Sequence, residues 1–288
     1  MLRKDQVITH RGLEPTKKDF YSESTYEAFQ DHLMRGFGGV EFDVRFLKDG
    51  QIAIAHDPSL ARITGGTDQR KFEELTEADV RAVQLARGRI GMFDELMDLI
   101  RKSSSVMNAL HFKGPLQTPE NITKLLAYLK RNNDLLGRMM LFDVKPDTAR
   151  HMLGTLPDLY LVPSVAHPYD IQRYNGAVAN TLLTVEEAIA GKEEGLFKGV
   201  WLDEWDLSAP EGGKKDFYNE ETFKAMKDAG LSISLVTPEL HATSPGLLGG
   251  EAHPDAQSRE RLFERIGEII ALKPDWICTD YPEEVLGL

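Results

Sequence analysis

Two carboxylates two residues apart, Glu41 and Asp43 in Gly39-Val40-Glu41-Phe42-Asp43-Val44, ask more of their surroundings than any other pair in this chain. The run reads as a strand, in which residues two apart share a face. Both acids therefore point one way, while Val40, Phe42 and Val44 point the other. Two like charges on a face that should fill a core are costly unless a cation or hydrogen bonds offset them. A hard divalent ion held by oxygen ligands is the economical partner. An ion network with Arg11, Lys113 and Arg45 is the competing reading. Other groups able to do chemistry fall at comparable places: His10 and Arg11 end a first strand, His56 and Asp57 end a hairpin, and His111 and Lys113 end a third strand.

Short apolar strands alternate with amphipathic helical stretches along the whole chain. Strands are expected near residues 6–10, 39–45, 107–112, 138–143, 158–163, 198–203, 231–236 and 275–279. Helices are expected near 24–35, 93–103, 119–132, 146–153, 184–191, 219–229, 257–271 and 282–287. Ser24-Thr25-Tyr26-Glu27 and Thr184-Val185-Glu186-Glu187 read as capping boxes, and Thr118-Pro119 as an N-cap followed by proline in the first turn. This rhythm predicts a (β/α)8 TIM barrel, with a doubly wound sheet as the alternative. Barrels build their sites at the C-terminal strand ends, where the residues above converge. Lys48-Asp49-Gly50 turns a hairpin, and residues 57–90 make a small insertion after the second strand. A second break runs from about Thr237 to Pro254. Residues 1–288 are expected to form a single domain carrying that insertion.

The composition is that of an ordinary globular protein, 41% hydrophobic and 28% charged. A net charge of −12 argues against a nucleic-acid or anionic-membrane partner. The lone cysteine, Cys278, excludes an internal disulfide and reads as a packed thiol. No stretch reaches membrane-span length, and no signal-like run opens the chain, so a cytoplasmic location is expected. The oligomeric state is undetermined.

Three stretches resemble the glycerophosphodiester phosphodiesterase family: Ile8-Thr9-His10-Arg11-Gly12, Ser22-Glu23-Ser24-Thr25 with Ala28-Phe29, and Gly39-Val40-Glu41-Phe42-Asp43-Val44. Lys48-Asp49-Gly50, Ala55-His56-Asp57-Pro58 and Thr64-Gly65-Gly66 continue the match, and Thr279-Asp280-Tyr281-Pro282 resembles the closing strand. The resemblance implies metal-assisted hydrolysis of a small phosphodiester to an alcohol and a phosphomonoester. It implies His10 and His56 as the acid–base pair and Arg11 as a two-pronged phosphate clamp. Glu41 and Asp43 would hold Mg²⁺ or Ca²⁺, Glu23 would orient Arg11 or touch substrate, and Lys113 would add positive charge.

Two departures from the family pattern shape the expectation. His111 stands where the family's third ligand is usually glutamate, and imidazole favours Mn²⁺, Zn²⁺ or Fe²⁺ over Mg²⁺ and Ca²⁺. The seventh strand lacks the family's tryptophan. Asp203 and Glu239 are placed to hydrogen-bond hydroxyls of a sugar or inositol. Two alternatives stay open: a phospholipase D-like lyase that stops at a cyclic phosphate, and a phosphodiester-binding protein disabled by His111. Trp201, Trp205 and Trp276 read as packing residues, and Glu204, Asp206 and Glu211 as a solvated acidic face. His167, His241 and His253 sit in loop-like surroundings, and Asp57 either caps the turn before Pro58 or orients His56 or Arg11.

Overall fold

The computed structural model describes residues 2–204, 216–240 and 253–288. Its parallel strands are β1 (Val7–His10), β2 (Gly39–Phe46), β4 (Asn108–His111), β5 (Met139–Phe142), β6 (Tyr160–Leu161), β7 (Ser164–Ala166), β8 (Leu182–Leu183), β9 (Gly199–Asp203), β10 (Ser232–Val236) and β11 (Trp276–Thr279). A short β3 (Ile52–Ile54) returns antiparallel along β2. The spatial order is β6-β5-β4-β2-β1-β11-β10-β9-β7-β8.

The order closes on itself at Pro163, which joins β6 to β7; β8 lies beyond the ring, paired with β7 alone. On one side the Val162 amide donates to Leu141 O at 2.9 Å; on the other, Lys198 N donates to Leu161 O at 3.1 Å and Trp201 N to Pro163 O at 2.9 Å. The run from Tyr160 to Ala166 thus serves as one strand bridging β5 and β9, and the ring is the expected TIM barrel. Strand positions follow the sequence reading closely, because each strand carries a continuous apolar run, as parallel strands covered on both faces must.

Two apolar layers follow from the two-residue period. Ile8, Ala109, Met140, Phe142, Val162, Trp201, Val236 and Cys278 fill the interior of the ring. Val7, Val40, Phe42, Leu110, Leu141, Val200 and Ile277 face outward into the helices. Trp201 and Cys278 are therefore packing residues, as expected. Inward-facing residues one step further along the strands are polar: His10, Asp43, His111 and Asp203.

The helices include α1 (Tyr26–Arg35), α2 (Glu77–Arg81), α3 (Phe93–Lys102), α4 (Pro119–Arg131), α5 (Pro146–Thr155), α6 (Pro168–Tyr174), α7 (Val185–Glu193), α8 (Glu220–Asp228) and α9 (Arg259–Ala271). Thr184 and Thr118 cap as expected. The first cap differs, being Thr25 rather than Ser24. Ser24 instead takes a left-handed φ of 57° and donates its amide to Arg11 O at 2.8 Å. The expected helix over 282–287 is only a short 3₁₀ turn, Val285–Gly287. α6 was not anticipated; Pro168 at its start and the His167 side chain accepting from Tyr169 N define it.

Residues 57–90 enclose an apolar cluster of their own, in which Leu60, Phe72, Leu75, Val80 and Val83 pack with Leu47, Ala53 and Ala55. Most of the break after β10 falls on residues 241–252, outside the described residues, as do Trp205, Asp206, Glu211 and His241. Glu204 contradicts its expected solvated face. It is buried, accepting from Phe217 N and Tyr218 N at 2.8 and 3.0 Å and from Arg265 at 2.9 Å.

Gly39 sets the spacing of β2 and β4 beneath the candidate site. A Cβ there would lie 1.9 Å from Met107 O, a backbone atom with nowhere to go. Gly39→Ala is expected to lower stability by about 3 kcal/mol, measured by urea denaturation; an unchanged midpoint would show that β2 shifts freely.

Candidate active site

Strand register brings the candidate side chains together. His10 pairs with Glu41 across β1 and β2, and Asp43 pairs with His111 across β2 and β4. Glu41, Asp43 and His111 present ligand atoms within 4.8 Å of one another. Of the predicted residues, His10, Arg11, Glu41, Asp43, His56, His111 and Lys113 converge on one end of the barrel, with Glu23 at its edge.

Asp43 gathers the cations. His111 Nδ1 lies 3.0 Å and Lys113 Nζ 3.1 Å from its Oδ1, and Arg11 Nε lies 3.4 Å from its Oδ2. Burial opposes ionisation of Asp43, but Lys113, His56, His111 and Arg11 outweigh it and hold the carboxyl well below the usual range. Glu41 has the opposite fate. Its Oε2 is buried without a hydrogen-bond partner, and the His10 Nε2 is 3.9 Å away. Burial and the Asp43 charge push its carboxyl up to about 8. The ion network expected as a competing reading thus draws its cations to Asp43 and leaves Glu41 to His10 alone, while both Asp43 oxygens and Glu41 Oε2 still lack a hydrogen-bond partner. That residual demand, with two carboxylates and an imidazole in ligand reach, fits a divalent cation.

The two histidines are built alike. His10 places Nδ1 2.7 Å from Asp280 Oδ1, and His56 places Nδ1 2.6 Å from Asp57 Oδ1. A carboxylate at Nδ1 favours the tautomer protonated there, which leaves Nε2 with its lone pair in the neutral ring. Burial, reinforced for His10 by Arg11, holds its pKa well below 6.5. Burial takes His56 down to about 3, Arg11 also lowering it against the pull of Asp43. The His56 carbonyl is itself held by Lys113 Nζ at 2.8 Å and by Arg45. Burial lowers the Lys113 ammonium pKa to about 8, with Asp43 opposing.

The supports behind the histidines differ. Glu239 Oε1 accepts from Thr279 at 2.5 Å, Thr237 at 2.6 Å and the Asp280 amide at 3.0 Å. Glu239, expected as a hydroxyl contact, is buried behind Asp280, with Oε1 committed to the strand ends and Oε2 without a hydrogen-bond partner. Asp57 is bonded by Arg62 at 2.6 Å, and Arg62 in turn forks onto Glu23 at 2.6 and 3.0 Å. Glu23 is 3.8 Å from Arg11, so its expected link to that guanidinium is geometrically present. Asp203 ends β9 facing inward and half-buried, on the side of the ring away from β2.

Asp280, Arg62 and Asp143 were not among the predicted site residues. Asp280 and Asp143 directly follow β11 and β5, so the rule that flagged His10 would have flagged them. Arg62 carried no such signal, since only tertiary folding brings residues 57–62 back to Glu23. His111 stacks on Phe142 with centroids 4.3 Å apart, and Phe142 on Trp201 at 4.0 Å. Burial pushes the His111 pKa down, but Asp143 and Asp43 outweigh it and raise it above 6.5. His253 caps a short turn, accepting from Asp255 N at 3.1 Å, with Nε2 3.8 Å from Glu204.

A model of the glycerophosphoryl diester phosphodiesterase family matches residues 10–150, the stretch holding most of these groups. A glycerophosphodiester phosphodiesterase of Bacillus altitudinis is 31% identical over 117 residues, 38% of this chain and 46% of that protein. One from Caldanaerobacter subterraneus is 29% identical over 136 residues, 45% of this chain and 54% of that protein. The matches thus span about half the length of these curated relatives. Over the whole fold, a solved structure from Galdieria sulphuraria, described as a glycerophosphodiester phosphodiesterase, aligns with TM-score 0.68 at 18% identity, covering 98% of this chain and 96% of that one. An Oleispira antarctica phosphodiesterase in complex with the product sn-glycerol-3-phosphate aligns with TM-score 0.63 at 18% identity, covering 98% and 95%. Among the described residues, no helix is long and apolar enough to cross a membrane.

Glu41→Gln removes a buried like charge and keeps the shape. At pH 8 the metal-free variant is expected to unfold at or above the wild-type temperature. The thermal stabilisation that added Mn²⁺ gives wild type should vanish in it. Scanning calorimetry with and without the ion checks both, and equal Mn²⁺ stabilisation of the two proteins would contradict the assignment.

Proposed function

We propose, for a chain that belongs to the glycerophosphoryl diester phosphodiesterase family, that residues 1–288 act as one hydrolase domain, with residues 57–90 an accessory segment. The reaction is the cleavage of a small glycerophosphodiester, or a related sugar or inositol phosphodiester, into an alcohol and a phosphomonoester. One observation carries this reading: two buried imidazoles, each with Nδ1 committed to a carboxylate, share a site with a cation-seeking acid pair and an arginine.

A neighbouring hydroxyl of the substrate gives its proton to the Nε2 of one histidine as its oxygen bonds to phosphorus. The P–O bond to the leaving alcohol breaks, and the other histidine protonates the departing oxygen. Water then opens the cyclic phosphate by the reverse proton transfers, leaving the phosphomonoester. Both imidazoles are neutral in the free protein, so the acid must gain its proton when substrate arrives. An anionic phosphodiester clamped by Arg11 opposes the guanidinium charge that helps depress both pKa values. A divalent ion bound by Glu41, Asp43 and His111 would supply positive charge to a phosphoryl oxygen. Lys113 braces Asp43 and the His56 carbonyl, and Glu23 with Arg62 holds Arg11 and Asp57 in place.

The test is turnover of glycerophosphocholine and glycerophosphoinositol with Mg²⁺, Ca²⁺, Mn²⁺ and Zn²⁺ added singly, followed by phosphorus NMR. Glycerol phosphate is the expected product, and His10→Ala or His56→Ala should each lower the rate at least ~100-fold. A cyclic phosphate that persists would establish the lyase instead, and binding without turnover under every ion would establish the disabled protein.

The depressed histidines give a pH prediction. In metal-free protein, NMR titration should find His56 near pH ~3 and His10 well below 6.5. Arg11→Gln removes a positive charge that disfavours the imidazolium, so both midpoints should move upward. Midpoints near 6.5 in wild type, or a downward move in the variant, would contradict this electrostatic account.

A further inference from the structure

We propose that Asp143 is a positioning residue that turns His111 into a metal ligand: it receives the Nε2 proton, which leaves the Nδ1 lone pair facing Asp43 and Glu41. This rests on the reading above in which His111 belongs to the metal site, and it identifies what suits the site to Mn²⁺ or Zn²⁺ rather than Mg²⁺ or Ca²⁺.

The ring's orientation carries the inference. Nδ1 is the nitrogen directed into the acid pair, 3.0 Å from Asp43 Oδ1. A neutral imidazole can ligate through Nδ1 only when its proton sits on Nε2. The acceptor near Nε2 is Asp143 Oδ2, at 3.6 Å, within about 1 Å of hydrogen-bond contact. A carboxylate bonded to the far nitrogen of a ligating histidine fixes tautomer and ring plane and raises ligand basicity.

Two hydrogen bonds hold Asp143 in place. It takes a left-handed φ of 67°, uncommon outside glycine, and such strain persists only where surroundings enforce it. The Gln117 side chain donates to Asp143 O at 2.7 Å, and the Gly114 amide donates to Asp143 Oδ2 at 3.2 Å. Gly114 cannot drift, since even a Cβ there would sit 2.2 Å from Val178 O. Phe142, the residue before Asp143, stacks on the His111 ring at an interplanar angle of 18°. Two adjacent residues of one strand end thus set both the plane and the proton of the imidazole. The anionic group that a glutamate at position 111 would have brought to the ion is present one strand away, acting through the ring.

The experiment is calorimetric titration of metal-stripped protein with Mn²⁺, and separately with Mg²⁺, in wild type, Asp143→Asn, His111→Glu and the double variant. Asparagine tolerates the left-handed backbone, so the fold should persist. Asp143→Asn is expected to weaken Mn²⁺ binding about 10- to 100-fold in the wild-type background. In the His111→Glu background, where no ring needs orienting, the same change should act within about twofold. His111→Glu should also tighten Mg²⁺. An equal loss in both backgrounds, or none in wild type, would overturn the role of Asp143. Failure of wild type to bind any Mn²⁺ would overturn the metal reading itself. A variant-free check is ¹⁵N NMR of the Zn²⁺-loaded wild type, which should place the His111 proton on Nε2; a proton on Nδ1 would overturn the proposal.

Discussion

Two buried carboxylates on one strand face, with the nearby cations gathered on only one of them, set the terms for everything else at this end of the barrel. Arg11, Lys113 and His111 all pair with Asp43, and Glu41 Oε2 has only the His10 ring at 3.9 Å. A fold that wanted only to neutralise two acids would have distributed three cations more evenly. The asymmetry makes sense if Glu41 awaits a partner that the protein does not itself supply. Their own burial, with the nearby Arg11, keeps both histidine pKa values low and brings Lys113 down to about 8, each against the pull of Asp43.

The histidines occupy mechanically different settings despite matching hydrogen bonds. Asp280 is an extension of β11, and Glu239 locks its amide and the neighbouring threonines into the barrel wall. Asp57 belongs to the segment leaving the β2–β3 hairpin, and its tie to Glu23 runs through the partly exposed Arg62. One imidazole is thus set by the core and the other by an ion link at the rim. On the proposed mechanism this division gives one proton carrier of fixed geometry and one coupled to residues 57–90. Electrostatic preorganisation needs rigid groups near the charge that develops, and the barrel supplies them from β1, β2, β4 and β11.

Much of this was legible in the sequence, for identifiable reasons. Parallel strands buried on both faces announce themselves as apolar runs, which is why the ring could be traced strand by strand. Glu41 and Asp43 stood out because alternation makes two acids on one face conspicuous. What escaped depended on neighbours distant in the chain. Glu204 looks like part of an acidic stretch until Arg265 and the amides of Phe217 and Tyr218 are seen to surround it. The tie of Glu239 Oε1 to Thr279 and the Asp280 amide likewise joins residues far apart in the chain. α6 is a single short stretch following a proline, too brief for periodicity to register. Asp143 follows an apolar strand in a position the same rule covers, but a lone aspartate there has no partner in the sequence to draw attention to it.

The central claim is that Glu41, Asp43 and His111 complete their coordination with a divalent ion. Anomalous diffraction at the manganese edge, on crystals grown with Mn²⁺, tests it most directly. The account predicts a peak within ligand distance of Glu41, Asp43 and His111, with Asp143 drawn toward Nε2. Ordered density for all four side chains with no peak, and Glu41 instead hydrogen-bonded to a protein group, would contradict it.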